Sequence, residues 1–184
     1  MRNRGNWKVK SEKEVYSNPY FKIIEYDVVQ PDGQDGFYGV IKKLDATYVI
    51  ALTENNEIYL LKEFRFASEE ILINLPAGRL EEELSYEINA KKELKEETGI
   101  IANNYEYLGN FIIDPGSQGT RTHVMLATGL DESNVTLENL EGNEDILEIM
   151  KLPIAEVKMM IAKNEIKCGA TMASLNIFFT KFKL

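Results

Sequence analysis

Hydrophobic and polar positions change their period several times along the chain, and each change predicts an element. Tyr20 to Val29 (YFKIIEYDVV) mixes aromatic and β-branched residues, and Gly36 to Leu44 (GFYGVIKKL) reads as a returning strand. Gln30-Pro31-Asp32-Gly33 between them has turn chemistry, so the pattern predicts a hairpin inside an N-terminal appendage, residues 1–45. A lone hairpin is marginal in water, so this one must lie against the main domain or against a second copy of the chain. Thr47 to Leu52 and Ile58 to Leu61 are short apolar runs around Asn55-Asn56, and Lys62 to Phe66 (KEFRF) prolongs the second. After a turn built on Pro76 and Gly78, the spacing becomes helical. Ser85 is the N-cap, Tyr86 to Thr98 the helix with Ile88 and Leu94 turned to the core, and Gly99 its C′ residue. Tyr105 to Ile113, Arg121 to Leu126 and Ile146 to Leu152 read as further strands. Helices over Pro153 to Lys163, with Pro153 at N1, and over Ala170 to Lys181 close the chain. Strands interspersed with helices predict an α/β sandwich with a mixed sheet over residues 46–184, preceded by a small antiparallel β subdomain.

Composition narrows the function. The chain has 184 residues, 44% of them apolar, which suits one domain with an appendage. Net charge is −9 without a block of Lys and Arg, so a nucleic-acid duplex is not the expected partner. An acidic protein still acts on a small anionic substrate when metal ions bridge the two sets of charge. The single Cys168 excludes an internal disulfide framework and fits a reducing compartment. There is no run of about 18 apolar residues and no apolar segment near Met1, so neither a membrane span nor a secretion signal is expected. The expectation is a soluble, cytoplasmic protein.

Glu93, Glu96 and Glu97 stand at i, i+3 and i+4 of the helix, which stacks three carboxylates on one face. Like charges so placed weaken a helix by about 0.2–0.5 kcal/mol per pair, and a divalent cation offsets this. A solvated acidic face is the alternative. What surrounds the helix favours the cation. From Gly78 onward the sequence reads Gly-x13-Lys-Glu-Leu-x-Glu-Glu-x-Gly-Ile, ending at Gly99-Ile100.

This stretch resembles the Nudix box, G-x5-E-x7-R-E-U-x-E-E-x-G-U, with U a bulky aliphatic residue. Two positions depart from it: Leu84 stands where the family has Glu, and Lys92 where it has Arg. In the family that pair supports the loop–helix turn, so the two departures read as one linked change, a pair retired together. A degenerate box that serves as a non-catalytic binding or interaction module is the reading from another class; Leu84 favours it, and the intact carboxylates oppose it. The resemblance implies a Nudix-type α/β/α sandwich in which Glu93, Glu96, Glu97 and the carbonyl oxygen of Ala77 hold Mg²⁺, with Mn²⁺ a possible substitute. Mg²⁺ is hard and prefers carboxylates together with substrate phosphates.

The similarity continues over most of the chain, which resembles the ADP-ribose pyrophosphatase branch. It implies hydrolysis of the pyrophosphate of a nucleoside diphosphate sugar, ADP-ribose first, with GDP-mannose or another nucleotide sugar as the alternative. Pro115 lies fifteen residues after Ile100, as in that branch, and Pro115 and Gly116 enter the expected substrate site with Arg65 and Arg79. Arg65 matches an arginine that contacts phosphates in relatives; a strand-end pair with Glu63 or Glu69 is its alternative. Relatives draw a catalytic base from a late acidic loop, here Glu141 to Ile146, and Glu144 is the first choice, acting with Glu97. Some place it three residues before the histidine, but that position is Thr120 here. A solvated carboxylate is the alternative for Glu144. Relatives also pair two subunits through the N-terminal sheet and clasp adenine there, so a homodimer is expected, with Trp7 and Tyr20 as apolar anchors. His123 reads as a packed, satisfied histidine and Cys168 as an ordinary thiol. Glu81 to Glu83 read as a solvated turn, although Glu82 or Glu83 is able to lend charge to an outer metal.

Overall fold

The computed structural model describes residues 1–81, 83–138, 140 and 145–184. They form two compact units: Met1–Leu44 with Ile112–Arg121, and Asp45–Phe111 with Thr122–Leu184.

In the first unit the expected hairpin, β3 (Lys22–Val29) and β4 (Asp35–Lys42), turns at Gly33, whose φ of 88° suits glycine. The Gly33 N–H donates to the Gln30 carbonyl at 2.9 Å. The hairpin is not alone. Arg2–Arg4 (β1) and Trp7–Ser17 (β2) extend it into an antiparallel sheet ordered β1-β2-β3-β4. Alternate β3 residues Ile24, Tyr26 and Val28 join Val9 in a small core.

The second unit holds two sheets, ordered β8-β5-β10-β9 and β11-β6-β7. Their strands are β5 (Ala46–Ala51), β6 (Glu57–Arg65), β7 (Glu70–Asn74), β8 (Ala77–Arg79), β9 (Ile101–Ile112), β10 (Arg121–Asp131) and β11 (Ile146–Pro153). Strands β5 and β10 run parallel, while β6 pairs antiparallel with β7 and β11, so strand directions are mixed. Alternation along β5 divides the core. Val49 and Ala51 pack with Ala90 and Leu94 of α1 (Tyr86–Thr98). Ile50 packs with Val157 of α2 (Ile154–Ala162) and with Leu175 and Phe178 of α3 (Gly169–Phe182). Helices thus cover both faces, the sandwich expected from the sequence.

Helix α1 has the expected caps. Ser85 Oγ accepts from the Ile88 N–H at 3.2 Å, and Gly99 closes the helix at φ 75°. Leu94 is fully buried, but Ile88 is 52% exposed, contrary to expectation. The buried stripe runs through Asn89, Ala90, Glu93, Leu94, Glu97 and Thr98, and Ile88 lies on the opposite side of the helix. Pro153 also differs: it ends β11 with ψ 143° and caps α2 from outside instead of occupying N1.

Candidate active site

The turn at Pro76 and Gly78 is an edge strand. Residues Ala77–Arg79 form β8, antiparallel to β5, with Gly78 opposite Thr47 and Ala77 opposite Tyr48. The Val49 N–H donates to the Pro76 carbonyl at 2.8 Å, fixing the entry to β8. Helix α1 lies against this stretch and presents two acidic groups one turn apart. Glu97 Oε2 accepts from the Ala77 N–H at 2.8 Å. The Glu93 carboxylate fills the space over Gly78, where a Cβ would fall 2.0 Å from its carboxyl carbon. Gly78 has no positive φ; its missing side chain is what the site requires.

Both carboxylates are buried, Glu93 at 7% and Glu97 at 5% exposure. Two like charges buried on successive turns call for positive charge nearby, and Lys92 supplies part of it to Glu93. The donor set, oxygen only and anionic, fits a hard divalent cation whose shell is completed by waters and phosphate oxygens. Glu96 is engaged differently: its Oε2 lies 3.2 Å from Lys92 Nζ. Among the described residues no three acidic, His or Cys side chains converge as a ready-made cage.

Lys92 has a partner despite Leu84. Its Nζ donates to Glu81 Oε1 at 2.7 Å, and that bond is the main reason its pKa is pushed up. The basic residue of the helix is thus tied to a carboxylate three positions upstream of Leu84. A double-mutant cycle of Glu81→Gln and Lys92→Met, read by urea unfolding, should give about 0.5–1 kcal/mol of coupling for this half-exposed pair. Leu84→Glu should restore stability to the Glu81→Gln variant. Zero coupling would show that the contact contributes nothing.

Arg65 ends β6 with Nη1 2.8 Å from Glu63 Oε1, the strand-end pair weighed from the sequence, and its side chain is 41% exposed. The other Glu63 oxygen accepts from Asn74 Nδ2 at 3.0 Å. The Phe64 N–H donates to the carbonyl of Asp145 at 3.0 Å, so the start of β11 is fastened next to Arg65. Glu144, like Glu82, lies outside the described residues. Arg79 is exposed at the end of β8, opposite Ala46. Pro115 and Gly116 belong to the first unit, in which the Tyr38 hydroxyl donates to the Gly116 carbonyl at 2.6 Å.

Asn74 is an addition to the residues singled out from the sequence, which offers Glu63 only as a strand-end partner of Arg65 and Glu81 only as part of a solvated turn. The bonds from Asn74 to Glu63 and from Lys92 to Glu81 give these three residues their contacts. Their roles depend on the β6–β7 hairpin and on the path of the loop before α1, neither of which a local pattern fixes. His123 is the packed histidine expected: it is buried, with Nε2 3.0 Å from Asp45 Oδ2, Nδ1 3.1 Å from the Tyr107 hydroxyl, and Tyr86 stacked on its ring. Cys168 is half-buried beside Tyr48, whose hydroxyl is raised well above its ordinary range, chiefly by burial. In the first unit a cavity of about 220 Å³ is lined by Trp7, Tyr26, Tyr38 and Arg4, with the Arg4 guanidinium 4.4 Å from the Tyr26 ring centre.

The profile of the NUDIX domain matches residues 42–168, and that of the nucleoside diphosphate sugar hydrolase N-terminal domain matches residues 7–41. The chain belongs to the Nudix family and is a Nudix hydrolase. It is 29% identical to the ADP-ribose pyrophosphatase of Bacillus subtilis (strain 168), over 85% of this chain and 83% of that protein. It is 27% identical to the GDP-mannose pyrophosphatase of Escherichia coli (strain K12), over 91% and 92%. A solved structure described as an ADP compounds hydrolase superposes with a TM-score of 0.82 at 17% identity, over 100% of this chain and 97% of that one, a likeness of fold.

Proposed function

We propose that the chain hydrolyses the pyrophosphate of a nucleoside diphosphate sugar in a Mg²⁺-dependent reaction, ADP-ribose first. The observation that carries this reading is the pair of buried carboxylates, Glu93 and Glu97, pinned to Ala77-Gly78. Mg²⁺ held by Glu93, Glu96, Glu97 and the Ala77 carbonyl would neutralise the diphosphate and orient it. Arg65 grips the diphosphate through the exposed part of its guanidinium, and Arg79, exposed at the end of β8 in the same unit, adds a second positive charge. Glu144 takes a proton from water as its oxygen bonds to one phosphorus. The phosphoanhydride bond to that phosphorus breaks, giving AMP and ribose 5-phosphate. The fastening of Asp145 next to Arg65 supports a base on this stretch of chain.

The aromatic cavity of the first unit suits a flat base, and Arg4 is able to stack on it. Exposed Val15, Tyr16 and Phe37 on the same sheet support pairing of two copies into a homodimer. No helix among the described residues is long and apolar enough to cross a membrane. With one cysteine in the sequence, a reducing cytoplasm is the compartment we propose.

Purified protein should be incubated with Mg²⁺ and ADP-ribose, GDP-mannose, ADP-glucose, NADH or nucleoside triphosphates, following monophosphate release. ADP-ribose should be turned over best. GDP-mannose as the best substrate would move the assignment to the second reading, and a triphosphate preference would remove the branch. Turnover of none under varied metals would leave the non-catalytic module. Glu144→Gln should keep Mn²⁺ binding and lose about 10²–10⁴-fold in kcat, the usual contribution of a general base. An unchanged rate would place the base elsewhere.

A further inference from the structure

Arg65 is held in a specific way. Its nearest partner, Glu63, is a carboxylate whose side chain is only 8% exposed, although Arg65 itself stands at the end of a strand. Buried carboxylates persist where their oxygens are met, and here Arg65 meets one and Asn74, itself fully buried, meets the other. Strand alternation puts Glu63 and Arg65 on one face of β6, while Asn74 pairs with Leu61 across the ladder, one diagonal step from Glu63. Asn74 ends β7, and only Leu75 and Pro76 separate it from Ala77. Leu75 is fixed in turn, its N–H donating to Thr171 Oγ1 at 3.1 Å. A guanidinium carries five N–H donors in one rigid plane, so engaging Nη1 sets the direction of the others.

We propose that Glu63 is a positioning residue for substrate binding: it fixes the plane of the Arg65 guanidinium and, through Asn74, ties it to the chain that enters the carboxylate site. A surface arginine with a solvated partner would have to give up side-chain freedom when the diphosphate arrives; one already held by a buried carboxylate loses less. This inference rests on the reading of Arg65 as the group that grips the diphosphate.

The test is a cycle of Glu63→Gln and Arg65→Ala. Each variant is followed by kcat and KM for ADP-ribose, by calorimetric titration of ADP-ribose without metal, and by melting temperature. Glu63→Gln should raise KM and weaken metal-free binding by roughly ten-fold, the loss of one charge-assisted hydrogen bond, with kcat little changed. In the Arg65→Ala background it should weaken binding no further, because there is no guanidinium left to position. Arg65→Lys, which keeps the charge without the fork, should raise KM by a similar factor and does not depend on the fold tolerating a change at Glu63. Additive losses in the cycle, a fall in kcat at constant KM, a shift in melting temperature alone, or a wild-type KM for Arg65→Lys would each overturn the positioning role. Wild-type protein that binds ADP-ribose without turning it over would overturn the proposed reaction and leave the positioning role standing if Glu63→Gln weakens that binding. Protein that binds no ADP-ribose would overturn both.

Discussion

Replacing Glu97 by Gln is expected to abolish metal-dependent turnover while leaving the protein folded. The two consequences separate because the Glu97 carboxylate joins an observed task, accepting the Ala77 N–H, to the proposed one of holding the cation. Its Oε2 accepts the Ala77 N–H at 2.8 Å, and an amide oxygen in the same place accepts that bond equally well. The negative charge has no such substitute. A cation at a phosphoryl site is worth several kcal/mol of transition-state stabilisation, and at 1.36 kcal/mol per decade its loss is a fall of roughly 10³-fold. Stability should change little, or rise by about 0.2–0.5 kcal/mol, since Glu93 stands one turn away and a like-charge pair is removed. Glu97→Ala should differ in the second task. It strands the Ala77 N–H in a half-buried place and should cost about 1–3 kcal/mol as well as the activity. Turnover with Mg²⁺, Mn²⁺ binding by electron paramagnetic resonance and urea unfolding measure the three quantities. If Glu97→Gln kept more than about a tenth of the activity, Glu97 would not be part of the metal site.

That helix was also the most legible part of the chain, for a local reason. Ser85 and Gly99 act through bonds to backbone groups within four residues, so their effect is written in short-range sequence. The strands that escaped the pattern had the opposite problem. In β2 only Val9 is buried; the rest of WKVKSEKEVYS is exposed or nearly so, and its pairing with β3 shifts register at two places. A strand exposed on both faces carries no alternation to read. Strand β8 has three residues and owes its place to pairing with β5, while Ile88 is apolar yet lies off the buried stripe.

The site divides along the same line. Glu93, Glu96 and Glu97 share one helix, so their spacing alone marked them as a group. Glu81 meets Lys92 eleven residues away, and Glu63 meets Asn74 across the β6–β7 hairpin. Both contacts depend on the path the chain takes between elements, which a local pattern does not fix. Each of the two departures from the Nudix pattern looks like a loss when read position by position. In three dimensions the charge that belongs opposite Lys92 is present, supplied from Glu81 in place of Leu84.

Gly78→Ala is the sharpest steric test of the same site. The added methyl would lie 2.0 Å from the Glu93 carboxyl carbon and 2.1 and 2.2 Å from its oxygens, well inside any allowed contact. Something has to move, and the Glu93 side chain is the softest element available. Its end group can swing aside through rotamer changes, whereas β8 is fixed to β5 through Thr47 and Tyr48, and α1 to the core through Ala90 and Leu94. The backbone is not the obstacle, since Gly78 has no positive φ that alanine would find strained. The cost to stability should therefore be moderate, about 1–3 kcal/mol for an overpacked contact. The cost to function should be much larger if the displaced group holds the proposed cation, since a shift of about 1 Å costs on the order of 10²-fold or more. The variant should melt cooperatively, bind Mn²⁺ at least ten-fold more weakly and turn over ADP-ribose at about 1% of the wild-type rate or less. Full activity with weakened stability would mean that Glu93 need not rest over Gly78 during the reaction. Wild-type stability with wild-type Mn²⁺ affinity would mean that the carboxylate does not occupy that space in solution.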